Sequence, residues 1–191
     1  MKSIVILISG RGSNMEAIIK ANLPVDIRAV ISNKQDAKGL QYAAAHGVAT
    51  RVVEHATFAS REAFDLSLAN IIDEYAPDYI ILAGFMRVLG TNFIARFPNQ
   101  IVNIHPSLLP QFPGLHTHRA ALAAGATLHG ATVHIVTPTL DCGPILGQVS
   151  VRVLADDTED SLAARVLIEE HRLYPNVIRA LILGSVTENR A

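Results

Sequence analysis

The chain has 191 residues and a mass of 20.6 kDa, with half of its residues hydrophobic, which suffices for one sizeable core and matches the size of a single domain. A net charge of -1 leaves no cationic excess, which argues against nucleic acid or an anionic membrane as partner and for small-molecule substrates, with the chain a monomer or homodimer. The lone cysteine, Cys142, excludes an intramolecular disulfide and a multi-cysteine metal site and fits a reducing, cytoplasmic setting. From Ser3 onward, short branched runs alternate with helical segments: SIVILIS, NMEAIIKANL, DIRAVISN, GLQYAAAHG and TRVVEH. That alternation is the pattern of βαβ units. The run IVILI is too short for a signal peptide or a membrane span and ends at once in turn residues, so it reads as a buried strand. A helix is expected from about Thr57 to Tyr75, carried by Phe64, Leu68, Ile71 and Ile72, with PDYIILAG as the next strand. NQIVNIH reads as another strand, HRAALAAG as a short helix, and GATVHIVT and ILGQVSVRVL as a final antiparallel pair. The last helix begins near Glu159, and Pro175 is expected to interrupt or restart it. The expected architecture is α/β: one domain over residues 1–191, doubly wound, with a mostly parallel sheet and helices on both faces.

The turn SGRGSN leaves the first strand at its carboxyl end, where ligands of doubly wound sheets bind and where helix amides favour an anion. It lacks the Gly-Lys-Ser/Thr ending of a Walker loop, Met15 stands where a dinucleotide fingerprint has its third glycine, and the second strand ends in Asn33 instead of an acid. A single phosphate fits better than a pyrophosphate. Equally open from the pattern alone is a tight turn allowed by Gly10 and Gly12, with Ser13 or Asn14 capping the helix.

Asn103 and His105 lie two apart on a strand, so they share a face, and Pro106 stops the ladder directly after them. Asp141 lies in the turn TLDCGP. A carboxamide, an imidazole and a carboxylate suit acyl transfer by direct attack, with Asn and protonated His donating to an oxyanion and Asp holding or charging the ring. Each residue taken singly also has a structural reading, His105 as a satisfied strand residue and Asp141 as a turn former. Cys142 reads as an ordinary free thiol. His116 and His118, with His129 and His134 downstream, lack a carboxylate or cysteine at recognised spacing, so no metal is expected.

In the last helix Leu162, Val166, Leu173, Val177 and Leu181 form a stripe that contains Glu170. A carboxylate on an apolar face needs a partner, either a basic side chain such as Arg165 or a ligand's ammonium; the pattern alone favours the structural pair.

The blocks VILISGRGSNMEAII, LAGFMRVL, VNIHPSLLPQFPGLHTHRAAL, HGATVHIVTPTLDCGPILGQ and IEEHRLYP, which span nearly the whole chain in order, resemble the phosphoribosylglycinamide formyltransferase family. HPSLLP and LDCGP also mark methionyl-tRNA formyltransferase and formyltetrahydrofolate hydrolase; SGRGSN and PGLHTHRAAL tilt the resemblance to the purine enzyme. The resemblance implies a Rossmann-like formyltransferase fold and transfer of the formyl group of 10-formyltetrahydrofolate, the folate co-substrate, to the amine of glycinamide ribonucleotide, without metal. It places Asn103, His105 and Asp141 as the catalytic trio, and Gly12, Ser13 and Asn14 on the ribonucleotide's phosphate. Leu167, Ile168, Glu169 and Glu170 fall at its glycinamide end, which moves Glu170 from structural pair to substrate contact. Arg61, Met86, Arg87, Val88 and Leu89 match the folate site, with Asn103 and the loop Thr137, Pro138, Thr139, Leu140 and Asp141 closing it. The N-terminal half would thus hold the phosphate and the C-terminal half the trio and folate loop.

Two departures from the family stand out. Cys142 replaces a glycine of many relatives and could narrow the folate loop, and the chain ends soon after LILGSVTENRA, which could alter dimer contacts. Formyl transfer to water is the rival reading, set second because that hydrolase family carries a further N-terminal domain whereas the first strand here begins at residue 3. Formylation of a charged tRNA asks for a basic surface and a further C-terminal domain. A nucleotide-binding module without chemistry would leave the trio unexplained.

Overall fold

The computed structural model describes residues 1–185. They fall into two compact units, residues 1–102 and residues from 103 on. The strands are β1 (Ser3–Ile8), β2 (Asp26–Ser32), β3 (Thr50–Val52), β4 (Tyr79–Leu82), β5 (Ile101–His105), β6 (Leu128–Ile135) and β7 (Ile145–Arg152). They are hydrogen-bonded in the order β3-β2-β1-β4-β5-β6-β7. The helices are α1 (Ser13–Lys20), α2 (Gly39–Ala45), α3 (Arg61–Tyr75), α4 (Thr91–Arg96), α5 (Thr117–Ala123) and α6 (Glu159–Ile182). The sheet is mostly parallel and the class is α/β, as the alternation of branched runs and helices requires.

In the first unit β1 is buried at every position, and it pairs in parallel with both β2 and β4. The chain winds outward from β1 to β3 and returns on the other side of β1 at β4, so the turn after β1 lies at the point where the winding reverses. Helix α3 starts at Arg61, four residues later than its periodicity suggests, because the Ser60 hydroxyl accepts the Ala63 amide and a 3-10 turn takes His55–Thr57. Its apolar face buries Phe64, Leu68 and Ile72, each contributing roughly 1.5–3 kcal/mol of transfer free energy. Helix α4, with six residues, is too short for a periodic signal and is absent from the sequence reading.

The start of β1 is tied down by one carboxylate. Asp78 accepts from the Ser3 amide at 2.7 Å, the Ser3 hydroxyl at 3.1 Å and Lys2 Nζ at 2.8 Å. The Lys2 hydrogen bond, with the Ser3 amide next, lowers its pKa from 3.8 to about 2. A depressed carboxylate contributes stability that is present above the unfolded value and is lost as pH falls through the folded one. Acid titration of the melting temperature is therefore expected to show a loss between pH 3.8 and about 2 that Asp78→Asn largely removes; an unchanged acid limb in the variant would dissociate the carboxylate from it.

In the second unit β6 and β7 pair antiparallel, as their alternation suggests, and α6 packs on both. Leu146 is an extra residue in this ladder: Val133 lies opposite Gly147 but His134 opposite Ile145, a bulge that increases local twist. Helix α6 opens with a capping box, Thr158 and Ser161 exchanging hydrogen bonds, and runs 24 residues with Pro175 inside it, so the expected interruption does not occur. Pro175 is itself buried beside Tyr174, Val177 and Ile178, and burial of that face offsets the hydrogen bond the proline cannot make. Leu173 and Leu181 are only half-buried; Tyr174 and Ile178 take their place in the stripe. Residues from 186 on, where the tail was expected to bear on dimer contacts, lie outside the described residues.

Candidate active site

Strand alternation places Asn103 and His105 on one face of β5, and both stand within one cluster of the second unit. His105, 6% exposed, has Nδ1 at 3.6 Å from Asp141 Oδ2, while its Nε2 donates to the Phe112 carbonyl at 3.0 Å. Since a carbonyl only accepts, Nε2 carries a proton, and a second proton on Nδ1 would make the Asp141 contact an ion pair. The same carboxylate oxygen accepts the Gly114 amide at 2.8 Å. Asn103 Nδ2 lies 3.3 Å from His134 Nε2, and that nitrogen is 3.8 Å from Asp141 Oδ1. The three predicted residues are thus gathered, and a fourth, His134, joins them.

Local backbone explains why these residue types sit where they do. Asp141 has φ 52°, a left-handed conformation that Asp tolerates better than most residues. Two residues on, a Cβ at Gly143 would lie 1.8 Å from the Ile135 carbonyl, so only glycine lets the DCGP turn fold back against the end of β6. The proline-rich segment after His105 is pinned by buried hydroxyls. Thr132 Oγ1 donates to the Ser107 carbonyl at 2.7 Å and accepts from the Leu109 amide at 3.0 Å and from Gln148 Nε2 at 2.8 Å. Thr117 Oγ1 donates to the Pro106 carbonyl at 2.7 Å. These bonds hold the loop that brings Phe112 and Gly114 to the trio.

Two further histidines form a separate pair, His129 Nε2 lying 3.1 Å from His118 Nδ1. Burial, with the neighbouring His118 next, lowers the His129 pKa to about 4. His134 is also lowered by burial, with His105 adding to the effect and the Ile135 carbonyl and Asp141 opposing it.

In the first unit the turn after β1 borders a cleft of about 250 Å³ lined by residues 9–14, Lys34, Ala83, Gly84 and Met86. Gly12, at φ 71° and ψ 35°, is itself the N-cap of α1, and no side chain caps the helix, so neither Ser13 nor Asn14 has the capping role. Such an uncapped start presents backbone amides to an anion. The cleft wall is fixed by Ser9, whose hydroxyl donates to Asn33 Oδ1 at 2.6 Å and accepts the Met86 amide at 2.8 Å. Arg11 and Lys34 add positive charge to the lining. Lys34 escapes a sequence reading because its approach to the turn depends on β1 and β2 being neighbours; the run VISNK at the end of β2 was its only signal.

The residues expected at the folate are spread over both units. Met86 and Val88 are exposed apolar side chains, Leu89 is buried, and the Arg87 guanidinium lies 5.2 Å from the centroid of the Phe64 ring. Arg61 borders a different cleft of about 420 Å³, with Asp65 and Arg96, and does not share the lining that holds Met86. In the second unit Thr137 Oγ1 donates to the Thr139 carbonyl at 3.1 Å, Pro138 and Leu140 are exposed, and so is Cys142. On α6 Leu167 is half-buried, Ile168 exposed, and Glu169 paired to Arg172 at 2.8 Å. Glu170 is 8% exposed, and its charge adds to burial in raising the phenol of fully buried Tyr174. Arg165 is not its partner. That guanidinium forks onto Asp157 at 2.7 and 2.5 Å and reaches the Arg152 carbonyl, which overturns the pairing favoured from the stripe alone.

Known proteins show the same arrangement of sequence and fold. The profile of the formyl transferase family matches residues 2–178, which includes residues of both units. The chain is 51% identical over 180 residues to phosphoribosylglycinamide formyltransferase of Escherichia coli K12, covering 92% of this chain and 85% of that protein. It is 43% identical over 190 residues to the trifunctional purine biosynthetic protein adenosine-3 of Drosophila melanogaster, covering 96% of this chain but only 14% of that longer protein. Among solved structures, glycinamide ribonucleotide transformylase 1 from Symbiobacterium toebii superposes with a TM-score of 0.94 at 45% identity, over 100% of this chain and 92% of that one. With its match over nearly the whole length, the chain belongs to the formyl transferase family, among the phosphoribosylglycinamide formyltransferases.

Proposed function

We propose that the protein transfers the formyl group of 10-formyltetrahydrofolate to the amine of N1-(5-phospho-β-D-ribosyl)glycinamide, giving the N2-formyl product and tetrahydrofolate in purine (IMP) biosynthesis. The observation that carries this reading is the buried contact of His105 with Asp141 beside Asn103, within a chain half identical to a phosphoribosylglycinamide formyltransferase. In this reading residues 1–191 serve as one formyltransferase domain acting on small molecules in the cytoplasm. No described helix is long and apolar enough to cross a membrane.

The amine nitrogen attacks the formyl carbon, a C–N bond forms, and the carbonyl oxygen becomes an oxyanion. Asn103 donates to that oxyanion, and so does His105 once the substrate displaces its contact with the Phe112 carbonyl. The intermediate collapses by breaking the bond from the formyl carbon to N10 of the folate, and the proton lost by the attacking amine is returned to N10 through His105. Asp141 balances the charge the ring carries during that transfer. Backbone amides at Gly12, Ser13 and Asn14, with Arg11 and Lys34 supplying charge, receive the 5'-phosphate. The segment Leu167–Glu170 receives the glycinamide end, its buried Glu170 facing the amine. Arg61, Met86–Leu89, Asn103 and Thr137–Asp141 are the residues assigned to the folate in this reading; Met86, Val88 and Leu140 among them are exposed and apolar.

The test is deformylation of 10-formyl folate by the purified protein with and without glycinamide ribonucleotide. Deformylation only with the ribonucleotide is expected. Equal release without it would make water the acceptor and the protein a hydrolase.

A further inference from the structure

His134 has no part in the mechanism above, yet it is 2% exposed and touches two members of the trio. Its ring state is readable from its neighbours. Nδ1 lies 3.0 Å from the Ile135 carbonyl oxygen, which can only accept, so Nδ1 carries a proton. Burial disfavours the doubly protonated ring, which leaves a lone pair on Nε2. Asn103 Nδ2 stands 3.3 Å from that lone pair, within hydrogen-bonding reach; Asp141 Oδ1, at 3.8 Å, is beyond it. A carboxamide facing a lone pair must present its NH2, because its oxygen would face like with like.

We propose that His134 is a positioning residue that sets the rotamer of the Asn103 carboxamide: by accepting one N–H on Nε2, it holds the NH2 group in place and leaves the second N–H for the oxyanion. This rests on the oxyanion role given to Asn103. The amide of an asparagine can turn by 180° at little cost in shape, so a strand that merely carries Asn103 does not determine which end faces the reaction. His134 removes that ambiguity. The bulge at Leu146 falls at the pairing step of His134, and such irregularities re-aim the side chains beside them. The groups facing the ring are the carboxylate of Asp141, the imidazole of His105 and the carboxamide of Asn103.

Two measurements test it. In the unmodified protein, nitrogen-15 NMR of labelled histidines is expected to show His134 with a pyrrole-type Nδ1 and a pyridine-type Nε2 at neutral pH; a protonated Nε2 overturns the proposal whatever the protein's activity. In kinetics, His134→Asn keeps an amide near the Nδ1 position but loses the acceptor, whereas His134→Gln can place an oxygen near the Nε2 position. His134→Asn is expected to lower kcat about 10- to 100-fold, short of the roughly 10²–10³ for deleting an oxyanion donor, with the ribonucleotide KM within about twofold. His134→Gln is expected to restore most of that rate, and His134→Asn is expected to add little in an Asn103→Ala background. Equal losses in the two His134 variants, or a full further loss on top of Asn103→Ala, would show that His134 acts elsewhere. Absence of ribonucleotide-dependent deformylation in the parent protein would instead sink the functional reading, while the NMR result would still report on the ring.

Discussion

Asp141→Asn is expected to slow formyl transfer by about 10²–10⁴ while both KM values stay within about threefold, and His105→Ala to fall in the same range. The asparagine is the cleaner of the two. It tolerates φ 52°, and its side-chain oxygen can still accept the Gly114 amide, so the turn keeps its shape and only the charge beside His105 is removed. Alanine at 105 also empties a buried position and frees the Phe112 carbonyl, so its effect mixes chemistry with packing. Single-turnover rates with both substrates saturating separate the two contributions. A wild-type rate in the asparagine variant would take Asp141 out of the reaction.

Gly12→Val is expected to raise the KM for the ribonucleotide about 10- to 100-fold, equivalent to about 1.4–2.8 kcal/mol, and to leave the folate KM within about twofold. At φ 71° any L residue is strained, and a β-branched one most of all. Steric contact is the smaller part of the effect, since the nearest atom to a Cβ is the terminal methyl of the unbranched Met15 side chain at 3.0 Å. What the valine changes is the backbone, which would rotate the amides at the start of α1 away from a bound phosphate. Melting temperature recorded alongside distinguishes the site from the scaffold. A lower melting point with an unchanged ribonucleotide KM would reduce SGRGSN to a tight turn.

The legible parts of the fold are those that local chemistry decides. Buried parallel strands such as Ile4–Ile8 and Ile80–Leu82 must be continuous apolar runs, and the alternation of the last two runs announces the antiparallel pair β6 and β7, of which only β7 leaves residues exposed along its length. Asn103 and His105 are legible as a pair because strand parity alone puts them on one face. Elements whose limits depend on single contacts are less so: the start of α3 is decided by one hydroxyl of Ser60, and the continuity of α6 through Pro175 by the burial of its neighbours. Glu170 shows the same limit, since its obvious partner Arg165 is taken by Asp157, which lies off the apolar stripe. His134 is hidden more deeply. Its approach to Asn103 needs β5 and β6 to be neighbours and a one-residue slip opposite it in β7, neither of which has a signature in the run GATVHIVT.

Thr132 illustrates how a position can be defined by valence instead of polarity. It sits within an eight-residue strand that is buried from His129 onward, where shape alone would make valine its isostere. Yet its one oxygen serves as the common node between the loop after β5 and strand β7, giving a proton to Ser107 and taking one each from Leu109 and Gln148. Valine would match the volume and leave the Ser107 carbonyl and the Leu109 amide without this partner, with Gln148 keeping only its bond to the Leu109 carbonyl, while serine would keep the connections and lose only a methyl. Substitution tolerance at this site therefore runs opposite to what similarity by size and hydropathy would rank, and any scoring of variants in β6 that treats it as an ordinary core strand will invert the order of the two.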